Sequence, residues 1–302
     1  MDFFISTISE IIVQGLIYGL IVLGIYISFN ILRIPDITVD GSFPLGAAVA
    51  ISLITTGINP WVSTIVACLA GLLAGLFTGF MNVILKINAI FAGIISMTML
   101  YSINLFIAGS SNVSVFDKET IFTATGSLFE RIPNISRTHI VIIISLSIVI
   151  FAKVLLDLFL ETRTGLTLRA SGDNPTVVKS LGVNPGYMTI LGLGISNALV
   201  ALSGAILSQE QSFFEISMGT GTMTLGLASV IIGIVIFGRL SVLKTSTAIL
   251  FGSIIYKALV SLAINLGAPP YMLNLVRGIL FLVILFSYQL LGKNKNMENS
   301  EA

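Results

Sequence analysis

The sequence predicts an all-α fold, a polytopic membrane helix bundle of about 8–10 transmembrane helices, and three observations predict it. Of the 302 residues, 55% are hydrophobic and only 10% are charged, whereas a soluble domain carries roughly a quarter charged residues. Apolar runs of about 17–25 residues, each long enough to cross a hydrocarbon core of roughly 30 Å as a helix, recur along the chain. Lysine and arginine crowd into alternate connections, the asymmetry expected of loops on opposite sides of a membrane. The formal charge of +1 leaves no basic surface for nucleic acid. Cys68, a single cysteine, cannot form an internal disulfide, and with one histidine no Cys/His set has metal-ligand spacing. The opening Met-Asp-Phe-Phe-Ile-Ser lacks the basic stretch of a cleaved signal peptide, so the first apolar run is expected to stay as a span.

The apolar runs occupy 11–32, 43–56, 61–85, 90–108, 140–160, 188–207, 223–237, 247–264 and 272–291. The second and seventh are short. Interrupted segments persist in a bilayer where their backbone is buried in protein or faces water, so these two are candidates to line a pathway; the alternative is a tilted, ordinary span. Arg33, Lys86, Lys153, Arg163, Arg169, Lys179, Arg239, Lys244, Lys293 and Lys295 fall on one side, against Lys118, Arg131 and Arg137 on the other. The first side is expected to be cytoplasmic, with the N-terminus outside and the C-terminus inside. The chain reads as one transmembrane domain, 1–302, with an external loop near 109–138, a cytoplasmic loop near 161–187 and a polar, disordered tail near 292–302.

The cytoplasmic loop punctuates itself twice. Asn174 is a good N-cap, Pro175 holds the favoured first helical position, and Gly182 stops the helix about two turns later. Asn184 and Pro185 repeat the signal and start the next span. A two-turn helix is unstable alone, so it needs a partner surface. Val177, Val178 and Leu181 offer apolar contacts amid Arg163, Arg169 and Lys179. A well-capped connection between two spans is the plainer alternative.

The run Arg163-Thr-Gly-Leu-Thr-Leu-Arg-Ala-Ser-Gly-Asp-Asn174, followed by Leu181-Gly-Val and Ala201-Leu-Ser-Gly-Ala-Ile, resembles the permease family of branched-chain amino acid and ribose importers. The stretch Leu32-Arg-Ile-Pro-Asp-Ile-Thr-Val-Asp-Gly-Ser-Phe-Pro-Leu-Gly-Ala-Ala-Val49 resembles its tryptophan- or tyrosine-type amino acid uptake subgroup. Gly252-Ser-Ile-Ile-Tyr-Lys257 and Leu266-Gly-Ala-Pro-Pro270 agree with that subgroup, whereas 271–277 departs from its Asp-Leu-Lys pattern. The resemblance implies a permease domain covering nearly the whole chain, in a bacterial inner membrane. It implies a homodimer served by a cytoplasmic ATP-binding subunit and an extracytoplasmic substrate-binding protein. ATP and Mg would sit on the ATPase, with no cofactor on this chain, and the solute would be an aromatic amino acid such as tryptophan. The resemblance also implies ATPase coupling through Arg169, Asp173, Asn174, Pro175, Val177, Val178, Lys179, Leu181 and Gly182. No Gly-x-x-x-x-Gly-Lys-Ser/Thr loop occurs in the sequence, so ATP hydrolysis is expected in another chain. No Ser/His/Asp set or carboxylate pair points to an enzyme.

Asp36, Asp40, Gly41 and Ser42 cannot extend a lipid-facing helix, so with Phe43 they mark a helix break, expected at the cytoplasmic face. Ser42 would cap the new helix, with Pro44 in its first turn and its positive dipole end near an acidic partner or Asp40. A tight turn is the alternative. Lys257 and Arg277 fall inside spans, where a charge costs about 2.5 kcal/mol or more. They are expected to snorkel outward, the alternative being a substrate carboxylate. Asp157, one turn after Lys153, should pair with it. The stripe Gly71, Gly75 and Gly79 suits either a homodimer face or packing within one subunit. Ser96, Tyr101, Asn104, Asn197, Ser203, Thr220, Thr222 and Thr224 are candidates for a substrate path, or else ties between helices. An ion-gradient-driven transporter, which would show inverted repeats and mid-membrane carboxylates, an importer of nucleosides, sugars or branched-chain amino acids, and a membrane scaffold are the rival functions.

Overall fold

The computed structural model describes residues 2–129, 137–238, 243–267, 269 and 272–298. Arg131, Arg239, Pro270 and Tyr271 lie outside them. The first helix, α1 (Asp2–Ile25), continues as a π-helical turn, Tyr26–Ile31, and ends where Arg33 takes a left-handed conformation with φ 59°. An extended segment then leads into α2 (Val39–Thr55). Two long helices follow, α3 (Pro60–Val83) and α4 (Ala89–Ala108), each opened by an asparagine whose side chain accepts a backbone N–H two residues on: Asn59 from Trp61 and Asn88 from Ile90. After β1 (Asn112–Ser114) and α5 (Ile121–Phe129) come α6 (Arg137–Glu161), α7 (Arg163–Asp173), α8 (Pro175–Ser180) and α9 (Pro185–Gln211). The chain turns through β2 (Phe213–Glu215) and a 3-10 turn, Ile216–Gly219, into α10 (Thr222–Phe237), α11 (Thr245–Asn265) and α12 (Leu273–Glu298).

Among the described residues, seven helices are long and apolar enough to cross a membrane, and Val39–Thr55 and Leu273–Tyr288 are shorter apolar helices. These are the runs read from hydropathy, in the same order. Three connections differ from expectation. The loop near 109–138 contains α5 and a strand, β1, that pairs antiparallel with β2, placing Val113 opposite Phe214. The loop near 161–187 contains a second helix, α7, started by the Thr162 hydroxyl accepting the Gly165 N–H. The segment 292–298 continues α12 as helix rather than forming a disordered tail.

The bundle is organised around α1 and α9, the two most enclosed spans. Gly71, Gly75 and Gly79 lie against α9 at Asn197 and Ala201, Leu193, and Ile190. The small-residue stripe therefore serves packing within the subunit, where a missing Cβ lets two backbones approach in lipid. The Lys153–Asp157 pair forms as expected at 2.8 Å, and Ser246 donates to the same carboxylate at 2.6 Å.

Candidate functional site

Polar side chains inside an apolar bundle converge at the break before α2. Asp36 is 3% exposed. One of its carboxylate oxygens accepts the Thr38 N–H at 3.0 Å, and the other accepts the Asn197 amide at 2.6 Å. Asn197 lies near the middle of α9, so the break, which begins at Arg33, reaches into the bundle interior at Asp36. From it, hydroxyl contacts run from Thr38 to Thr78 at 3.0 Å and on to Ser96 at 2.6 Å, tying the segment to α3 and α4. Asn104 of α4 donates to the Gly41 carbonyl at 3.1 Å. A buried carboxylate in a bilayer requires such donors, and Asn197 of α9 supplies one.

The helix also begins earlier than expected. Asp36 holds the Thr38 amide, α2 starts at Val39, and Ser42 and Phe43 lie inside it. Ser42 is therefore not the cap: its hydroxyl is buried and unpartnered among the described residues. Pro44 is a helix-interior residue instead of a first-turn one, and Gly219 packs against the Asp40 carbonyl four residues before it.

Asp40 joins the two short helices. Although it occupies the first turn of α2, its carboxylate accepts the Met223 N–H at 2.8 Å, the Thr222 hydroxyl at 2.7 Å and the Gly221 N–H at 3.3 Å. It thereby caps α10, so two helix N-termini, each with its positive dipole end, meet at one anion. The second and seventh apolar runs, singled out for their shortness, are those two helices.

The remaining polar candidates separate. Ser203 donates to the Ile17 carbonyl at 2.7 Å and ties α9 to α1. Tyr101 points away from the bundle and is 52% exposed. Thr224 is half-buried in the first turn of α10. The Thr220 carbonyl accepts from Arg277 at 3.2 Å, and the Lys257 ammonium lies 5.5 Å from the Tyr18 ring centroid. Lys257 thus faces α1, and Arg277 the connection before α10. Thr38 and Thr78 were not singled out from sequence, since a lone threonine, in the break or in an apolar run, carries no signal of its partner.

At the opposite end of the bundle, α7 and α8 form a compact projection. The Asn174 side chain accepts the Thr176 and Val177 N–H groups at 3.1 and 3.3 Å, Pro175 opens α8, and Gly182 leaves it with φ 79°. Val177 and Leu181 are 49% and 72% exposed, whereas Val178 is fully buried. Val178 thus holds α8 to its own chain, correcting its expected place beside Val177 and Leu181 on an outward face. Arg33 pairs with Asp173 at 2.6 Å, and Gly172 abuts the Ile31 carbonyl, joining α7 to the end of α1. Arg169 borders a polar pocket of about 270 Å³ with Tyr26, Asp157 and Lys244. Lys179 lies in the last turn of α8.

The family described as "branched-chain amino acid transport system / permease component" matches residues 7–285. The chain belongs to that family. This permease is a multi-pass inner-membrane component of an ATP-binding-cassette transport system and not an enzyme; ATP hydrolysis and substrate capture reside in other components. It is 42% identical to a tyrosine transport system permease protein of Clostridioides difficile, over 93% of this chain and 90% of the relative. An uncharacterized protein of Rickettsia prowazekii is 35% identical over 91% of this chain and 95% of its own. The autoinducer 2 import system permease protein LsrC of Escherichia coli is 24% identical over 83% and 70%.

Proposed function

We propose that this permease imports an aromatic amino acid, tyrosine or tryptophan, as a homodimer driven by two copies of a cytoplasmic ATPase and fed by an extracytoplasmic binding protein. The observation that carries the reading is α8: a two-turn helix, capped at both ends, that leaves Val177 and Leu181 uncovered. Such a helix gains stability from a partner groove, and the cations around it put its end of the bundle in the cytoplasm. The N-terminus then lies outside and the C-terminus inside. Residues Arg169, Asp173, Asn174, Pro175, Lys179 and Gly182 shape or flank this helix, and Val178 anchors it. Similarity to the tyrosine transport system permease supports the substrate class, and the more distant similarity to an autoinducer 2 import permease supports the inward direction.

Force on α8 has a short route inward. Asn184 caps α9 by accepting the Gly186 N–H, so α8 and α9 form one articulated unit. The middle of α9 holds Asp36 through Asn197, and Asp36 positions the start of α2. Closure of the ATPase pair would shift α9, and with it the junction of α2 and α10 that Asp40 maintains.

The test uses proteoliposomes containing the permease, its ATPase and its binding protein. Val177→Asp and Leu181→Asp should each weaken ATPase co-purification and lower ATP-dependent uptake by about tenfold, the equivalent of roughly 1.4 kcal/mol of interface energy. Unchanged coupling would remove α8 from the mechanism. Asp36 is also a carboxylate of the kind an ion-driven transporter uses; uptake that survives without ATP and collapses with a protonophore would favour that reading.

A further inference from the structure

Beside the Asp40 junction lies a group of charged and aromatic side chains that the break itself does not use. Lys257 projects toward the face of Tyr18, and Tyr18 stacks on Phe43 of α2 with ring centroids 6.3 Å apart. Arg277 reaches from α12 to the Thr220 carbonyl, immediately before the amide that Asp40 holds. Asp40, Tyr18, Glu210, Lys257 and Arg277 each keep part of their surface open, and Glu10 is exposed, while Phe43 and Gln209 beside them are closed off. These partly open polar groups come from α1, α2, α9, α11 and α12.

The two cations of this group lack a charge partner among the described residues. Among the described residues neither Lys257 nor Arg277 has a carboxylate oxygen within 4.0 Å. Cations within spans persist where they meet water, a partner or a ligand. Tyr256, 1% exposed and adjacent in sequence to Lys257, has a hydroxyl without a partner among the described residues. The N-terminus of α10 adds positive dipole on the same side. The Tyr18 ring, backed by the buried Phe43, supplies an apolar surface of the size of one ring.

We propose that Lys257 and Arg277 form the carboxylate subsite for the transported amino acid, whose side chain lies against Tyr18. This assignment rests on the importer reading above and adds the chemistry by which the permease itself recognises its cargo. The same two cations have the chemistry to hold a phospholipid phosphate, and the experiment separates the two anions.

Complete importer is reconstituted in nanodiscs with and without phosphatidylglycerol, and two ligands compete for the radiolabelled aromatic amino acid: the amino acid itself and its decarboxylated amine. The wild type should prefer the amino acid by at least about tenfold, the value of one charge-assisted hydrogen bond. Arg277→Met and Lys257→Met should each shrink that ratio to about threefold or less, and Arg277→Lys and Lys257→Arg should restore it. A merely structural role would weaken both ligands equally and leave the ratio intact, which overturns the proposal. It is also overturned by a ratio that follows phosphatidylglycerol content instead of the substitutions, or by the absence of saturable binding to an importer that transports. If wild-type importer accumulates neither tyrosine nor tryptophan in vesicles, the importer reading itself fails.

Discussion

Asp40→Ala tests whether one carboxylate holds two helices together. The substitution removes the acceptor for the Met223 and Gly221 N–H groups and one of the two acceptors of the Thr222 hydroxyl, which also reaches the Gly219 carbonyl. Loss of an N-cap side chain costs about 0.5–2 kcal/mol. The lost charge at the α10 N-terminus adds roughly 0.3–1 kcal/mol. Asp40 is half-buried, so water reaches part of the vacated space and the amides do not carry a full penalty of about 1–3 kcal/mol each. About 2 kcal/mol is expected, which at roughly 2–4 °C per kcal/mol lowers the apparent Tm by about 4–8 °C. Asp40→Asn retains an oxygen for the Met223 N–H and loses the charge, so its loss should be less than half as large. Thermal unfolding of the purified permease in detergent, followed by tryptophan fluorescence or light scattering, reads both variants. An alanine variant within 1 °C of wild type (~0.3–0.5 kcal/mol) would refute the junction, and an asparagine variant as damaged as alanine would refute the division between acceptor and charge.

Asn174→Ala should cost α8 about 1 kcal/mol by uncapping two amides. For a two-turn helix that is decisive, so co-purification with the ATPase should fall about fivefold while the Tm of the permease alone stays unchanged; intact association would show that the cap is dispensable. Gly75→Ala would drive a Cβ into the Leu193 carbonyl oxygen, whereas Gly278→Ala meets nothing within 4 Å. The first should cost about 1–3 kcal/mol by overpacking and reduce the monodisperse fraction in gel filtration, and the second should leave it unchanged; equal behaviour would dismiss close α3–α9 approach as the reason for the stripe.

What the sequence made legible follows the range of each interaction. The caps of α8 and α9 act two or three residues along the chain, so Asn174 and Asn184 mark helix starts without knowledge of the fold, whereas Asn59 and Asn88 obey the same rule and went unread. The Thr162 cap obeys the same rule, yet α7 escaped notice because its sequence is polar and an apolar run was the signal sought. The break near Asp36 and Asp40 was visible because carboxylates cannot face lipid. Its depth was not, because Asn197 stands 161 residues away from Asp36 and Thr222 stands 182 away from Asp40. The positive-inside asymmetry assigns ends to the bundle and says nothing of how far an extended segment re-enters it. Lys257 and Arg277 extend the point: exclusion from lipid is a property of one residue, whereas what offsets that exclusion belongs to a pair. Hydropathy thus identifies each costly group in isolation, and only packing decides whether the offset comes from a helix terminus, as at Asp40, or is left for a ligand.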